Sequence, residues 1–217
     1  MTEREPAPAP KAPKALTEAG LRRAARALAE RDGDLARVLE RHGPPPLWAR
    51  EPGFATLVLI ILEQQVSLAS ARATFARLLA AASPLTPQSL LALDDATLRA
   101  AGFSRQKAAY CRHLAGLIGE GSLDLEALGR AGDAEARSEL LKVRGVGPWT
   151  ADIYLLMALR RADVWPSGDL ALAVAAHEVK RLPSRPTHPQ LDRLAEGWRP
   201  FRAVAARMLW QHYLGRQ

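Results

Sequence analysis

The sequence predicts an all-α protein. Apolar residues recur at helical spacing through most of the chain, and caps, glycines and prolines punctuate it at helix-length intervals. No segment between turn signals alternates apolar and polar residues as a half-buried strand would. A 217-residue chain with 48% hydrophobic residues is long enough to bury a sizeable core.

Taken in order, Met1 to Lys14 alternates Ala with Pro6, Pro8, Pro10 and Pro13 and reads as an extended, poorly ordered tail, so residues 1–15 are set apart from the fold. Leu21, Ala24, Ala25 and Leu28 mark a first helix. Asp34 to Leu39 marks a second, closed by Gly43 and the stop Pro44-Pro45-Pro46. The run Phe54 to Val66 reads as a buried helix, and Ser67 to Ala82 as the next. Short helices follow at Pro87–Leu93 and Asp95–Ala101, then a longer one from Ser104, a good N-cap, to about Ile118. Asp133 to Lys142 is helical in composition. Pro148 opens a helix to about Arg160, because proline suits a first helical turn whose N–H has no intrahelical partner. Asp169 can cap a helix reaching about Arg181, and Phe201, Val204, Ala205, Met208 and Leu209 share one face of the last.

Composition narrows the classes. Thirty Lys and Arg against 23 Asp and Glu leave a net charge of +7, compatible with a polyanionic partner and equally with solvated basic faces. A single cysteine, Cys111, excludes an intramolecular disulfide framework and any cluster built from several thiolates. Lacking a surrounding motif, it reads as a small buried hydrophobe. No apolar run approaches the roughly 20 residues that a membrane span needs. The tail also lacks the apolar core of a secretory signal.

The most informative stretch is Leu140-Leu141-Lys142-Val143-Arg144-Gly145-Val146-Gly147-Pro148-Trp149-Thr150-Ala151. Alternate glycines allow unusual φ angles and a surface free of side chains. The helix that follows presents its N-terminus beside that surface, where unpaired N–H groups and the positive dipole end favour an anion such as phosphate. An ordinary helix–turn–helix with glycine turn chemistry fits the same residues.

This segment resembles the hairpin of the HhH-GPD superfamily of DNA base-excision glycosylases, in which a Gly/Pro-rich loop and a catalytic aspartate follow. Here Asp163-Val164-Trp165-Pro166-Ser167-Gly168-Asp169-Leu170 supplies both in order. Ile60-Ile61-Leu62-Glu63-Gln64-Gln65-Val66-Ser67 is similar to the Gln-Gln-Val-Ser signature of the alkylpurine branch. Trp198-Arg199-Pro200-Phe201-Arg202 and Met208-Leu209-Trp210 resemble that branch's closing segments. The resemblance runs from about Phe54 to Tyr213 and points to the DNA-3-methyladenine glycosylase II type. It implies two helical lobes with a cleft between them: one from the N- and C-terminal helices, one from the middle helices with the hairpin at 141–151, all within a single domain over 16–217.

Departures sharpen the expectation. Trp149 stands where lyase-competent members carry a lysine, so the resemblance implies a monofunctional enzyme without a Schiff base. One cysteine cannot ligate the iron–sulfur cluster of other branches. Only a Pro/Ala tail and two short helices precede the shared region, which reads as a compact form. Tyr154 stands beside Ile153, the position of a pocket tyrosine in the branch.

The resemblance assigns roles residue by residue. Asp169 is the expected catalytic carboxylate; on the residues alone it reads as the N-cap of Leu170-Ala171-Leu172, and both roles can hold at once. Trp149, Trp210 and Tyr154 are the expected base pocket. Gln65 is the expected wedge into the duplex, although Gln64 and Gln65 could simply end a helix, capping or solvated. The backbone at Gly145, Gly147 and Thr150 is the expected phosphate grip. The main-chain carbonyls of Leu141, Val143 and Gly145 are expected to hold a structural Na+ or K+; no catalytic metal is implied. Arg105 and Lys107 are candidate phosphate contacts, Asp152 a charge suited to its helix dipole, Asp163 a loop closure, and Trp48, Trp165 and Trp198 core or loop anchors.

The implied activity is hydrolysis of the N-glycosidic bond of alkylated purines, of the 3-methyladenine and 7-methylguanine class, leaving an abasic site. The alternatives are deaminated or etheno purines, or a non-catalytic protein that binds DNA structure through the hairpin. The expected partner is double-stranded DNA with damaged bases, without a membrane. The expected state is a monomer, in a bacterial cytoplasm at the nucleoid or, in a eukaryote, in the nucleus.

Overall fold

The computed structural model describes residues 14–215, so most of the tail assigned to 1–15 lies outside the described residues. Among these the chain is helical and without strands. In order come α1 (Glu18–Arg31), α2 (Gly33–His42), α3 (Phe54–Glu63), α4 (Leu68–Ala81), α5 (Pro87–Leu91), α6 (Asp95–Ala101), α7 (Arg105–Gly119), α8 (Leu125–Arg130), α9 (Asp133–Leu141), α10 (Pro148–Met157), α11 (Leu170–Val179), α12 (His188–Glu196) and α13 (Arg202–Leu214).

Short polar side chains start many of these helices. Thr17 Oγ1 accepts Gly20 N–H at 3.1 Å, Ser104 Oγ accepts Lys107 N–H at 3.2 Å and Asp94 Oδ1 accepts Thr97 N–H at 2.7 Å, each satisfying a donor that the helix cannot. Two helices escaped the sequence reading. α8 is capped by Asp124, and α12 opens on a capping box of Thr187 and Gln190. The expected helix to Val66 stops at Glu63: Gln64 is extended and Gln65 takes a left-handed φ of 57°.

Packing divides the helices into two lobes. α1, α2, α11, α12 and α13 pack among themselves, and α3 to α10 form the other group, in which α10 lies on α3 and α9. One continuous apolar core spans both. α13 is more enclosed than a one-faced helix, because Ala203 to Trp210 are all buried. Arg207, within that run, donates to the carbonyls of Leu47 at 2.9 Å, Ala203 at 3.0 Å and Leu156 at 2.7 Å, so its guanidinium ties α13 to the end of α10 and to the loop before α3. Burial lowers the Arg207 pKa to about 10, which leaves it charged at neutral pH. No helix among the described residues is long and apolar enough to cross a membrane.

Candidate functional site

Asp169 caps α11 at the seam of the two lobes. Its Oδ1 accepts Leu172 N–H at 2.9 Å, so the capping role read from sequence is real. The same carboxylate takes two indole N–H groups: Trp149 Nε1 donates to Oδ2 at 2.9 Å and Trp210 Nε1 to Oδ1 at 3.2 Å. Trp149 starts α10 in one lobe and Trp210 ends the buried run of α13 in the other, so the carboxylate is held from both sides of the seam. Asp169 is only 9% exposed, and three donors offset the loss of water around it.

The loop before Asp169 is tied down. Asp192 on α12 accepts from Trp165 Nε1 at 3.0 Å and Ser167 Oγ at 2.7 Å, and Asp163 accepts from Arg199 at 2.8 Å and from Arg202 Nε at 3.1 Å. Trp165 and Trp198 are buried with ring centroids 5.5 Å apart, which makes them anchors, as the sequence suggested. Asp163 closes the loop onto the segment before α13. Trp48 packs against the core as the sequence suggested, and its ring also meets Trp210 edge-on, centroids 6.4 Å apart, from a left-handed φ of 47°. The preceding run of three prolines was the only local signal for it.

Tyr154 is a correction. It is fully buried, and its hydroxyl accepts Gly53 N–H at 3.0 Å, which holds the start of α3 rather than lining the space by Asp169. Burial raises the pKa of its phenol. Five positions along α10 turn it about 140° from Trp149, whereas Ile153 lies on the Trp149 side.

The hairpin between α9 and α10 departs from expectation in one respect, since only one of its two glycines takes an unusual φ. Only Gly145 needs glycine: its φ is 89°, and a Cβ built there would overlap the Tyr110 ring, 2.6 Å from Cδ1. Gly147 is extended at φ −88° and ψ 178°, has open space where a side chain would stand and caps α10 without any side-chain bond, so no side chain satisfies the first N–H groups of α10. Thr150 is 2% exposed, and its Oγ1 accepts from Gln64 Nε2 at 2.8 Å, which ties the start of α10 to the end of α3.

Two of the three carbonyls expected to bind a cation already accept a hydrogen bond. The Gly145 oxygen accepts Gln64 Nε2 at 2.8 Å and the Val143 oxygen accepts Val146 N–H at 2.9 Å.

Charged neighbours sort themselves by geometry. Lys107 turns inward, donating to the carbonyls of Leu62 at 2.7 Å and Gln64 at 2.8 Å, where a cation suits the C-terminal dipole of α3; it is not free for phosphate. Burial lowers its pKa. Asp152 is buried and pairs with Arg137 Nε at 2.7 Å rather than facing the dipole of α10; burial raises its carboxyl pKa, against the pull of that guanidinium. Arg105 and Arg144 are exposed, and Arg144 N–H donates to His113 Nδ1 at 3.3 Å. Gln65 is exposed at the turn, with Val66 and Leu68 beside it 45% and 50% exposed.

Comparison with known proteins agrees with this geometry. The model of the HhH-GPD superfamily of base excision DNA repair proteins matches residues 58–200. The Bacillus subtilis protein YfjP is 28% identical over 185 residues, 82% of this chain and 64% of that protein. The structure of 3-methyladenine DNA glycosylase Mag1 of Schizosaccharomyces pombe, in complex with abasic DNA, superposes with a TM-score of 0.82 at 28% identity, covering 87% of this chain and 95% of that one. The structure of a DNA-3-methyladenine glycosidase from Bacillus halodurans superposes with a TM-score of 0.77 at 28% identity, covering 89% of each chain.

Proposed function

The chain belongs to the HhH-GPD superfamily of base excision DNA repair proteins, and on that premise we propose that it is a monofunctional DNA N-glycosylase acting on alkylated purines. The observation that carries the reading is the Asp169 carboxylate, clasped by two indole N–H groups at the seam between lobes.

The hairpin grips the lesion strand. The N–H groups at the uncapped start of α10, beside the bare surface of Gly147, bind a phosphate with the help of the helix dipole, and Arg144 adds charge at the same turn. Gln65 enters the stack in place of the extruded nucleotide, which offsets part of an unstacking cost of a few kcal/mol. The extruded purine lies against Trp149, Trp210 and Trp48, whose faces attract an electron-poor or cationic base.

Breaking the C1′–N bond sends its electron pair to the base, which leaves neutral when alkylation at N3 or N7 has already made it cationic. Positive charge builds on the sugar, where the fixed Asp169 carboxylate stabilises it and orients the incoming water; the proton released on addition passes to the carboxylate or solvent. The two indoles keep both oxygens aimed without reorganisation. Position 149 bears an indole and not an amine, so the reaction ends at the abasic site.

A panel of duplexes carrying 3-methyladenine, 7-methylguanine, hypoxanthine or etheno-adenine tests the reading. Release of the alkylated purines, with strand breaks appearing only after alkali, supports it. Release of hypoxanthine or etheno-adenine alone shifts the substrate class. Duplex binding with no abasic product from any of them overturns it.

A further inference from the structure

The turn that presents Gln65 does not hold its shape by local preference. A glutamine at a φ of 57° sits in a sparsely populated, strained region, so its surroundings must impose it. They do so from two directions. The half-buried Gln64 spends its amide on the hairpin, donating to the Gly145 carbonyl and Thr150 Oγ1, both at 2.8 Å, while its own carbonyl accepts Lys107 Nζ at 2.8 Å. A glutamine that merely ended a helix would leave its amide in water. α7 supports both parts: Lys107 lies beneath the turn and Tyr110, three residues on, lies against Gly145.

We propose that Gln64 is a positioning residue that makes the Gln65 turn and the hairpin one rigid unit, so that seating the hairpin on phosphate aims Gln65 into the base stack. Lys107 fixes the same unit from the side of α7. The proposal rests on the glycosylase reading and adds to it a mechanical link between the phosphate grip and base extrusion. Misplacing a group by about 1 Å can lower a rate by roughly 100-fold, so the link has measurable consequences.

The test compares Gln64→Met, similar in length but without the amide, with wild type on alkylated duplexes carrying 2-aminopurine beside the lesion. The expected result is a loss of roughly 10- to 100-fold in both single-turnover release and the rise of 2-aminopurine fluorescence on base extrusion, with affinity for undamaged duplex within about threefold. Gln64→Met combined with Gln65→Ala should be no slower than Gln65→Ala alone, because the amide acts through Gln65. Wild-type kinetics in Gln64→Met, or losses that multiply in the double variant, would overturn the proposal. Should Gln64→Met not fold, Lys107→Met and Lys107→Arg serve: the first should lower the fluorescence rise and the second restore it, and equal behaviour of the two counts against the link. The fluorescence signal also separates the two ideas. If wild type unstacks the duplex but releases no base, the glycosylase reading fails while the link is still read.

Discussion

Gly145→Ala tests how the hairpin is built. An alanine at a φ of 89° bears a left-handed strain of about 1–2 kcal/mol. Its Cβ would also overlap Tyr110 at Cγ and both Cδ atoms, well inside ordinary contact near 3.5–4 Å, so the ring must retreat by about 1–2 Å and lose packing, at about 1–3 kcal/mol. The two effects sum to roughly 2–5 kcal/mol, a large share of the 5–15 kcal/mol that holds a domain folded. Urea denaturation of four proteins reads the partition: wild type, Gly145→Ala, Tyr110→Ala and the double variant. With the ring gone, Gly145→Ala should cost only the backbone strain of about 1–2 kcal/mol, a coupling of at least about 1 kcal/mol. Duplex affinity should fall in Gly145→Ala and partly recover in the double variant. Equal penalties with and without Tyr110 would refute the steric account of the turn.

Further outcomes follow from the same geometry. Trp149→Phe keeps an aromatic face but removes the N–H held by Asp169 Oδ2, so single-turnover release should slow about 10- to 100-fold, the worth of one hydrogen bond to a charged acceptor, while affinity for abasic duplex changes little. Cys111 is fully buried and its thiol pKa is pushed up to about 12, so iodoacetamide at pH 8 should spare it in the native protein and label it in denaturant. Since 12 lies above the ordinary 9.0, Cys111 supports folding fully below pH 9 and loses that contribution as pH rises towards 12; Cys111→Ala should flatten that decline in thermal midpoint. Burial pushes the Asp32 carboxyl upward, but hydrogen bonds from Lys180 and Trp198 outweigh it and hold its pKa below 3.8. Its contribution is therefore present above pH 3.8 and lost as pH falls through the lower folded value, so the gap in melting temperature between wild type and Asp32→Asn should be widest near neutral pH and close in acid.

Local chemistry is what the sequence carried well. Ser104, Asp169 and Pro148 announced helix starts within a few residues of themselves, and the caps stand where they were read. α8 and α12, at 6 and 9 residues, are too short for a hydrophobic period to register, although Asp124 and the Thr187–Gln190 pair marked their starts. At the site, Asp169 was legible because its loop motif is contiguous. Its clasp was not, since the indoles that hold it come from 20 residues before and 41 after. Gln64 read as a helix end because its partners lie 81 and 86 residues away. Tyr154 was misassigned by adjacency to Ile153, where helix phase and not sequence distance decides which face a residue joins.

The central claim is that Asp169 carries the chemistry, and Asp169→Asn tests it most directly. Asparagine is as good an N-cap as aspartate, so the start of α11 should persist, although its amide turns a donor towards one of the indoles. Single-turnover release of 3-methyladenine from alkylated duplex should fall by a factor of 100 or more, roughly the loss expected when a positioned transition-state charge is removed, with duplex affinity kept within about threefold. Release at the wild-type rate would contradict the account.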